Sequence, residues 1–323
     1  MSLSYLLNSG KNPKWKYYAV NGIRGAVPAC FYRQRLKKLL DKAVNRDDYN
    51  THIKPRVDYY NQLTENAPLG SAPPLSDLKP TKEGSVYFLD SREHTTYFNP
   101  QLCCNFLFGD VVHVPEFASI VKSRPLGCDN KNSVVLKLDK IRHFLFVNDK
   151  IPFHAKQNKA IFMGKIGGKE NRFRFMELFF GHPLCDAADV SRKSSDIPPE
   201  WQAPKKTIAD HLKYKFILAL EGADVASNLK WIMSSNSVAV MPRPTCETWF
   251  MEGTLIPNHH YIEIAADFSD VEERLNYYIE HPGEAEQIIA NANQYVEQFK
   301  DKRREKLISL LVLEKYFKQT CQL

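Results

Sequence analysis

Hydrophobic and polar positions change their rhythm about halfway along the chain. In residues 31–43 (FYRQRLKKLLDKA), Leu36, Leu39 and Leu40 recur on one side among basic residues, which predicts a short basic helix. Pro55 and the stretch 67–80 (APLGSAPPLSDLKP) are loop chemistry. Short apolar runs rich in β-formers follow at 85–89, 105–108, 111–114, 133–138 and 142–147. Each is strand-length and bounded by turn residues, so a sheet is expected there.

From about residue 157 the alternation is clearer. A strand at 160–163 (AIFM) leads through the glycine-rich turn 164–168 (GKIGG) into a helix at about 171–180 (NRFRFMELFF). A buried strand at 215–220 (KFILAL), the turn EGADVASN and part of a helix at 229–234 come next. Then follow a strand at 237–241 (SVAVM), a helical turn at 245–252 and a strand at 261–264. Strand, turn, helix and strand at this spacing predict a parallel sheet with crossover helices. Towards the C-terminus, Ser269 and Glu272 have capping-box spacing, Pro282 opens a second helix, and the basic stretch 300–306 leads into a last helix at 307–317. There is no internal repeat.

Composition narrows the class. The 323 residues are 43% hydrophobic and 25% charged, as in a soluble globular protein of about two domains. No run approaches the roughly 18 apolar residues that cross a bilayer, and residues 2–7 are too short for a secretory core. Seven cysteines without framework spacing fit reduced thiols and a cytoplasmic setting. Walker A, GxGxxG, HExxH and CxxC motifs are absent, as is any Asp-x-Asp pair of the kind that holds a sugar nucleotide through a metal. Charge is uneven: residues 1–60 hold twelve Lys/Arg against four Asp, a net +8 in a chain whose total is +7. Polyanionic partners follow from that front end, whether lipid phosphate, an anionic membrane surface or nucleic acid.

Two places in the second half offer chemistry at the carboxyl ends of strands, where open α/β sheets bind ligands. In the first, Gly164 and Lys165 end a strand and Arg172 and Arg174 ride the following helix. Glycines let a phosphate approach the backbone and a guanidinium takes two of its oxygens, although a hairpin with solvated arginines has the same sequence. In the second, Tyr214 opens a strand, Glu221 and Gly222 end it, and Asp224, Ser227, Asn228 and Lys230 follow. These groups suit a sugar nucleotide, and equally a capped helix start with a solvated lysine. Glu247 follows the next strand, and His259 and His260 lack further ligands for a metal site.

The block KYKFILALEGADVASNLKWIMSSNSVAVMPRPTCETWFMEGTLIPNHHYIEI resembles the glycosyltransferase family that joins bacterial lipopolysaccharide core transferases to protein O-glucosyltransferases and fungal capsule xylosyltransferases, family 90. Upstream, FGDVVHVPEFASIVKSRPL, IRHFLFV and IFMGKIGGKENRFRF look most like the lipopolysaccharide branch. The likeness covers roughly residues 85–300. It implies an α/β GT-B fold of two Rossmann-like domains facing a cleft, with residues 1–156 on the acceptor side, 157–300 binding the donor and 301–323 returning to the first domain. It implies inverting, metal-independent transfer of a hexose from a UDP-sugar to a lipopolysaccharide core, with no cofactor. Carried over by position, Gly164, Arg172, Ser227 and Lys230 fall on the donor phosphates, Tyr214, Glu221, Gly222 and Asp224 line the adjacent turn, and Glu247 faces the donor. Met163 stands where the family often has arginine, so Lys165 is the substitute contact.

Inversion needs a base for the acceptor hydroxyl, which in this family is an aspartate of the N-terminal domain. Asp90 (VYFLDSRE) and Asp110 (FLFGDVV) both qualify, with Asp90 favoured as the end of a buried-looking strand, and Arg124 and His143 are further candidates for the expected interdomain cleft. The basic N-terminal segment is then expected to meet the anionic inner-membrane surface or a phosphorylated core, placing a cytoplasmic enzyme peripherally on the membrane, without nucleic acid. The competing class is a non-catalytic protein that binds nucleic acid or an anionic surface through the same segment.

Overall fold

Residues 9–80, 84–191 and 196–323 are described in the computed structural model of the chain, and the apolar run at 2–7 lies outside them. The chain divides into two compact units, each discontinuous in sequence. One comprises Pro13–Ile141, Thr245–Gly253 and Gln298–Leu323; the other comprises residues 9–12, Arg142–Pro244 and Thr254–Glu297. Both carry parallel sheet, so the protein is mixed α/β.

The first unit begins with helices α1 (Lys14–Ala26) and α2 (Ala29–Val44), a π-helical turn at Tyr49–Ile53, α3 (Lys54–Tyr60) and α4 (Ser85–Thr95). Strands β1 (Asn105–Leu107), β2 (Ser119–Val121) and β4 (Ser133–Val135) form a parallel three-stranded sheet in the order β1-β2-β4, while β3 (Ser123–Pro125) follows β2 directly. The turn of helix α5 (Lys140–His143) follows.

The second unit holds β5 (Gln157–Gly164), α6 (Glu170–Phe179), β6 (Cys185–Asp189), α7 (Ile208–His211), β7 (Tyr214–Leu218), α8 (Leu229–Ile232) and β8 (Val238–Met241). The chain then gives β9 (Cys246–Thr248) to the first unit and resumes with β10 (Ile262–Glu263), α9 (Val271–Glu280) and α10 (Pro282–Glu297). Every residue of β7 and β8 is buried, as expected of parallel strands covered on both faces. Phe162, Phe175, Phe216, Phe268, Leu275 and Ile288 belong to one continuous core around this sheet. The sheet order is β10-β8-β7-β5-β6, all parallel. Counted within the unit this is the doubly wound order 2-1-3-4-5, whose switch point lies between β5 and β7.

Helix α11 (Lys302–Gln319) completes the first unit. The Asp301 carboxylate caps it, accepting from the backbone N–H groups of Arg303 and Arg304 at 2.9 and 3.1 Å. Its run from Leu307 to Leu313 is buried at every position, so α11 is the unit's central helix, packed on α2, α3 and α4. Buried Glu305 accepts from Arg56 at 2.5 Å, Lys137 at 2.6 Å and the Trp249 indole at 2.7 Å. Burial pushes the Glu305 carboxyl up, but Lys137 and Arg56 more than offset it and hold it below its ordinary value. Trp249 stacks on Tyr60 with ring centroids 3.9 Å apart.

Several local expectations change. Residues 85–89 begin a helix, because the buried positions Tyr87, Asp90, Ser91, His94 and Thr95 recur at helical spacing. Residues 111–114 are irregular, and 142–147 contain only the end of α5. The helical turn expected at 245–252 is instead strand β9, drawn into antiparallel pairing with β3. The capping box does not form: the Ser269 hydroxyl donates to Asp267 at 2.7 Å, and Asp270 precedes α9.

Candidate active site

In the second unit, the loops leaving β5 and β7 flank the switch point, and Arg172 joins them. Its Nε donates to the Glu221 carbonyl at 2.9 Å, one terminal nitrogen to Leu220 at 2.7 Å, and the other to Lys165 at 3.0 Å. Asn171 adds a bond to the Glu221 carbonyl at 3.1 Å. Burial lowers the Arg172 pKa from its ordinary value. Glycines leave close room on both sides of this clasp. A Cβ on Gly164 would lie 2.5 Å from the Phe162 ring, and one on Gly222 would lie 3.0 Å from the Arg172 guanidinium. The arginine is therefore a built part of the crevice wall, unlike Arg174, which is exposed.

The remaining groups of the second motif collect beside it. The Gly222 N–H donates to the Asp224 carbonyl at 2.8 Å, closing the turn, and the Asn228 amide holds the Leu218 carbonyl at 2.9 Å. Asp224 is buried and Ser227 is exposed. Neither caps α8, whose first turn starts at Asn228, and Lys230 is fully buried. The capped start with a solvated lysine is thus not what forms. Lys165 is exposed at the tip of the β5 loop.

Sequence gave no notice of Asp189, buried at the end of β6. Its carboxylate accepts from the Ile166 N–H at 3.1 Å and from Ser191, pinning the glycine turn from a neighbouring strand.

Tyr214 lies away from these loops, and Glu247 belongs to the other unit. Tyr214 pairs with Gln157 at the opposite end of β5 from Gly164, and its hydroxyl donates to Asp186. Glu247 lies in the first unit on β9, where Arg124 donates to it at 2.7 Å and the Tyr59 hydroxyl also donates to it. Buried Arg124 and Glu247, with part-buried Tyr59, form a cluster that ties β9 to β3 and α3. Burial and the Glu247 carboxylate push the Tyr59 hydroxyl pKa up. Tyr59 had no distinguishing sequence signal.

The two candidate bases occupy different settings in the first unit. Asp90, on α4, is fully buried: it accepts from the Tyr17 hydroxyl at 2.7 Å and from the Lys140 N–H at 2.9 Å. Burial raises its pKa despite the Lys140 ammonium at 3.3 Å. Asp110 stands three residues past the carboxyl end of β1, its side chain 28% exposed. Lys122, just past the neighbouring β2, forms an ion pair with it, and the Tyr87 hydroxyl donates to it at 3.3 Å. Tyr87 stacks on Phe108 at 5.6 Å, and Phe108 lies 5.5 Å from Phe106. Both phenylalanines line a groove of about 500 Å³ with Phe117, Pro74 and Lys79. His143 is buried at the end of α5.

The profile of glycosyl transferase family 90 matches residues 134–318, more than half of the chain. The chain belongs to that family. It is a glycosyltransferase. It is also 37% identical over 305 residues to the O-glucosyltransferase LpsA of Dichelobacter nodosus, covering 94% of this chain and 95% of that protein. The family match contains the Arg172 clasp and Lys230, while Asp90 and Asp110 precede it.

Proposed function

We propose that this transferase moves a hexose, glucose by analogy with its O-glucosyltransferase relative, from a UDP-sugar to a hydroxyl of a lipopolysaccharide core oligosaccharide, inverting the anomeric carbon. The observation that carries this reading is the built crevice at the β5–β7 switch point, in a chain of family 90. In this reading the protein is a GT-B transferase whose five-stranded unit takes the donor and whose other unit takes the acceptor.

At the switch point, backbone N–H groups of the glycine turn and the cationic Lys230 meet the diphosphate, and Arg172 holds both loops in place. Fixed cations meeting charge on the departing UDP make a metal unnecessary, in line with a sequence lacking Asp-x-Asp. Asp110 is the base. Its exposure at a strand end and its Lys122 and Tyr87 partners fit a carboxylate that reaches an acceptor hydroxyl, whereas buried Asp90 with two donors fits a structural anchor. The phenylalanine-lined groove beside Phe108 offers apolar faces on which an acceptor sugar ring can stack. Such an acceptor places the protein peripherally on the cytoplasmic face of the inner membrane.

Transfer assays across a panel of UDP-sugars, with truncated core oligosaccharide as acceptor, test the reading. Turnover of one UDP-hexose in the presence of chelator is expected. If millimolar UDP neither releases heat nor raises the melting temperature, the donor assignment fails.

A further inference from the structure

Helix α1 is amphipathic the wrong way round for a helix packed on a protein. Its inward stripe is polar, with Tyr17, Asn21 and Arg24 at i, i+4 and i+7. Tyr17 bonds Asp90, and Arg24 pairs with Glu93 at 2.7 Å, so α1 is fastened to α4 by hydrogen bonds and charge. The opposite side carries Trp15, Ala19, Gly22, Ile23 and Ala26, with Trp15 74% and Ile23 70% exposed. A helix held by its polar side with its apolar side in water is unstable bookkeeping for a surface left bare.

Helix α2 continues the surface with the other half of the pattern. Its apolar residues Tyr32, Leu36, Leu39 and Leu40 are part-buried, while Arg33, Arg35, Lys37 and Lys38 are exposed. Phe31, 53% exposed, stands at its start. Across residues 9–40 there are eight Lys/Arg and no acidic residue. Apolar side chains that include an indole, bordered by unopposed cations, are what an anionic bilayer interface accommodates: the ring and aliphatic groups enter at the headgroup level while the cations face lipid phosphates.

We propose that α1 and the start of α2 form a membrane-docking surface, with Trp15, Ile23 and Phe31 inserting into a bilayer of anionic phospholipid and Lys14, Lys16 and Arg35 engaging its headgroups. This does not depend on the donor or on the reaction. The chain provides its own probe. Of its four tryptophans, Trp201, Trp231 and Trp249 are buried, and Trp15 is the exposed one.

The test is co-sedimentation of the full-length protein with vesicles of phosphatidylcholine alone and with about one-third phosphatidylglycerol. Tryptophan emission and its quenching by lipids brominated along the acyl chain are followed in parallel. Binding to the anionic vesicles is expected, with a blue shift and quenching that disappear in Trp15→Phe. Trp15→Ser/Ile23→Ser is expected to weaken partitioning on the order of tenfold or more, and raised salt to weaken it further. Wild-type quenching needs no variant, so it decides the matter even if a substituted chain folds poorly. Indifference to anionic vesicles overturns the proposal, as does binding without quenching. It is overturned equally if the wild type is a dimer that the double variant makes monomeric while vesicles are ignored, since the surface then joins two copies.

Discussion

Asp90 and Asp110 have the same chemistry and opposite surroundings, and the surroundings assign their work. Asp90 satisfies a backbone N–H and a tyrosine hydroxyl inside the first unit, so Asp90→Asn is expected to lower the unfolding temperature while turnover per folded molecule persists. Asp110→Asn takes the anion from buried Lys122 and is expected to lower the unfolding temperature, to leave UDP affinity unchanged and to cut transfer per folded molecule by about 10²–10⁴-fold, measured as initial rates at saturating donor. On the donor side, Lys230→Met keeps most of the buried volume and removes the charge. UDP affinity is expected to fall about 10- to 100-fold by calorimetry, the worth of a hydrogen bond to a charged group. Unchanged affinity would remove Lys230 from the donor site.

Elements were legible in sequence where burial alone shaped them. Strands β5, β7 and β8 are apolar runs because both sheet faces are covered, and Pro282 does open α10. Helix α4 was misread because Val86, Tyr87, Phe88 and Leu89 look like a strand, while its inward face continues through Asp90, Ser91, His94 and Thr95, residues a hydrophobic pattern does not count. Helix α1 left no signal for the same reason. Strand β9 depends on Arg124, 123 residues earlier, pairing with Glu247, and no local rule reports such a partner. Likewise the switch point was half visible: sequence marked the glycine turn and the β7 turn separately, and the sheet order with Arg172 is what unites them. The Glu305 network is the element-level lock on α3, α11 and the β9 segment. Glu305→Gln, which leaves buried Arg56 and part-buried Lys137 without their anion, is expected to cost about 3–5 kcal/mol in denaturant unfolding.

For the whole molecule, acid is the informative stress. Burial holds the His94 imidazole down to about 3, against an ordinary value of 6.5. Between those pH values the unfolded chain takes up a proton that the folded chain refuses, so stability falls as pH drops from 6.5 towards 3. Glu93 adds to the loss below about 4.5. Burial raises it, but Lys140, His94 and Arg24 more than offset this and hold it at about 2. Asp90, raised by burial, opposes both. Unfolding temperatures measured from pH 7 to 4 are expected to decline, and to decline less steeply in His94→Gln.

The discontinuity of the first unit also orders events during synthesis. Arg56 and Lys137 are made 249 and 168 residues before the carboxylate that neutralises them. At about 5–20 residues per second, Lys137 waits on the order of ten to thirty seconds for Glu305 to leave the ribosome. Until then α3 and the small sheet lack their central helix, and their apolar faces are open to chaperones and proteases. The second unit has its last segment by Glu297, so the unit that holds most of the first 141 residues is the one finished last.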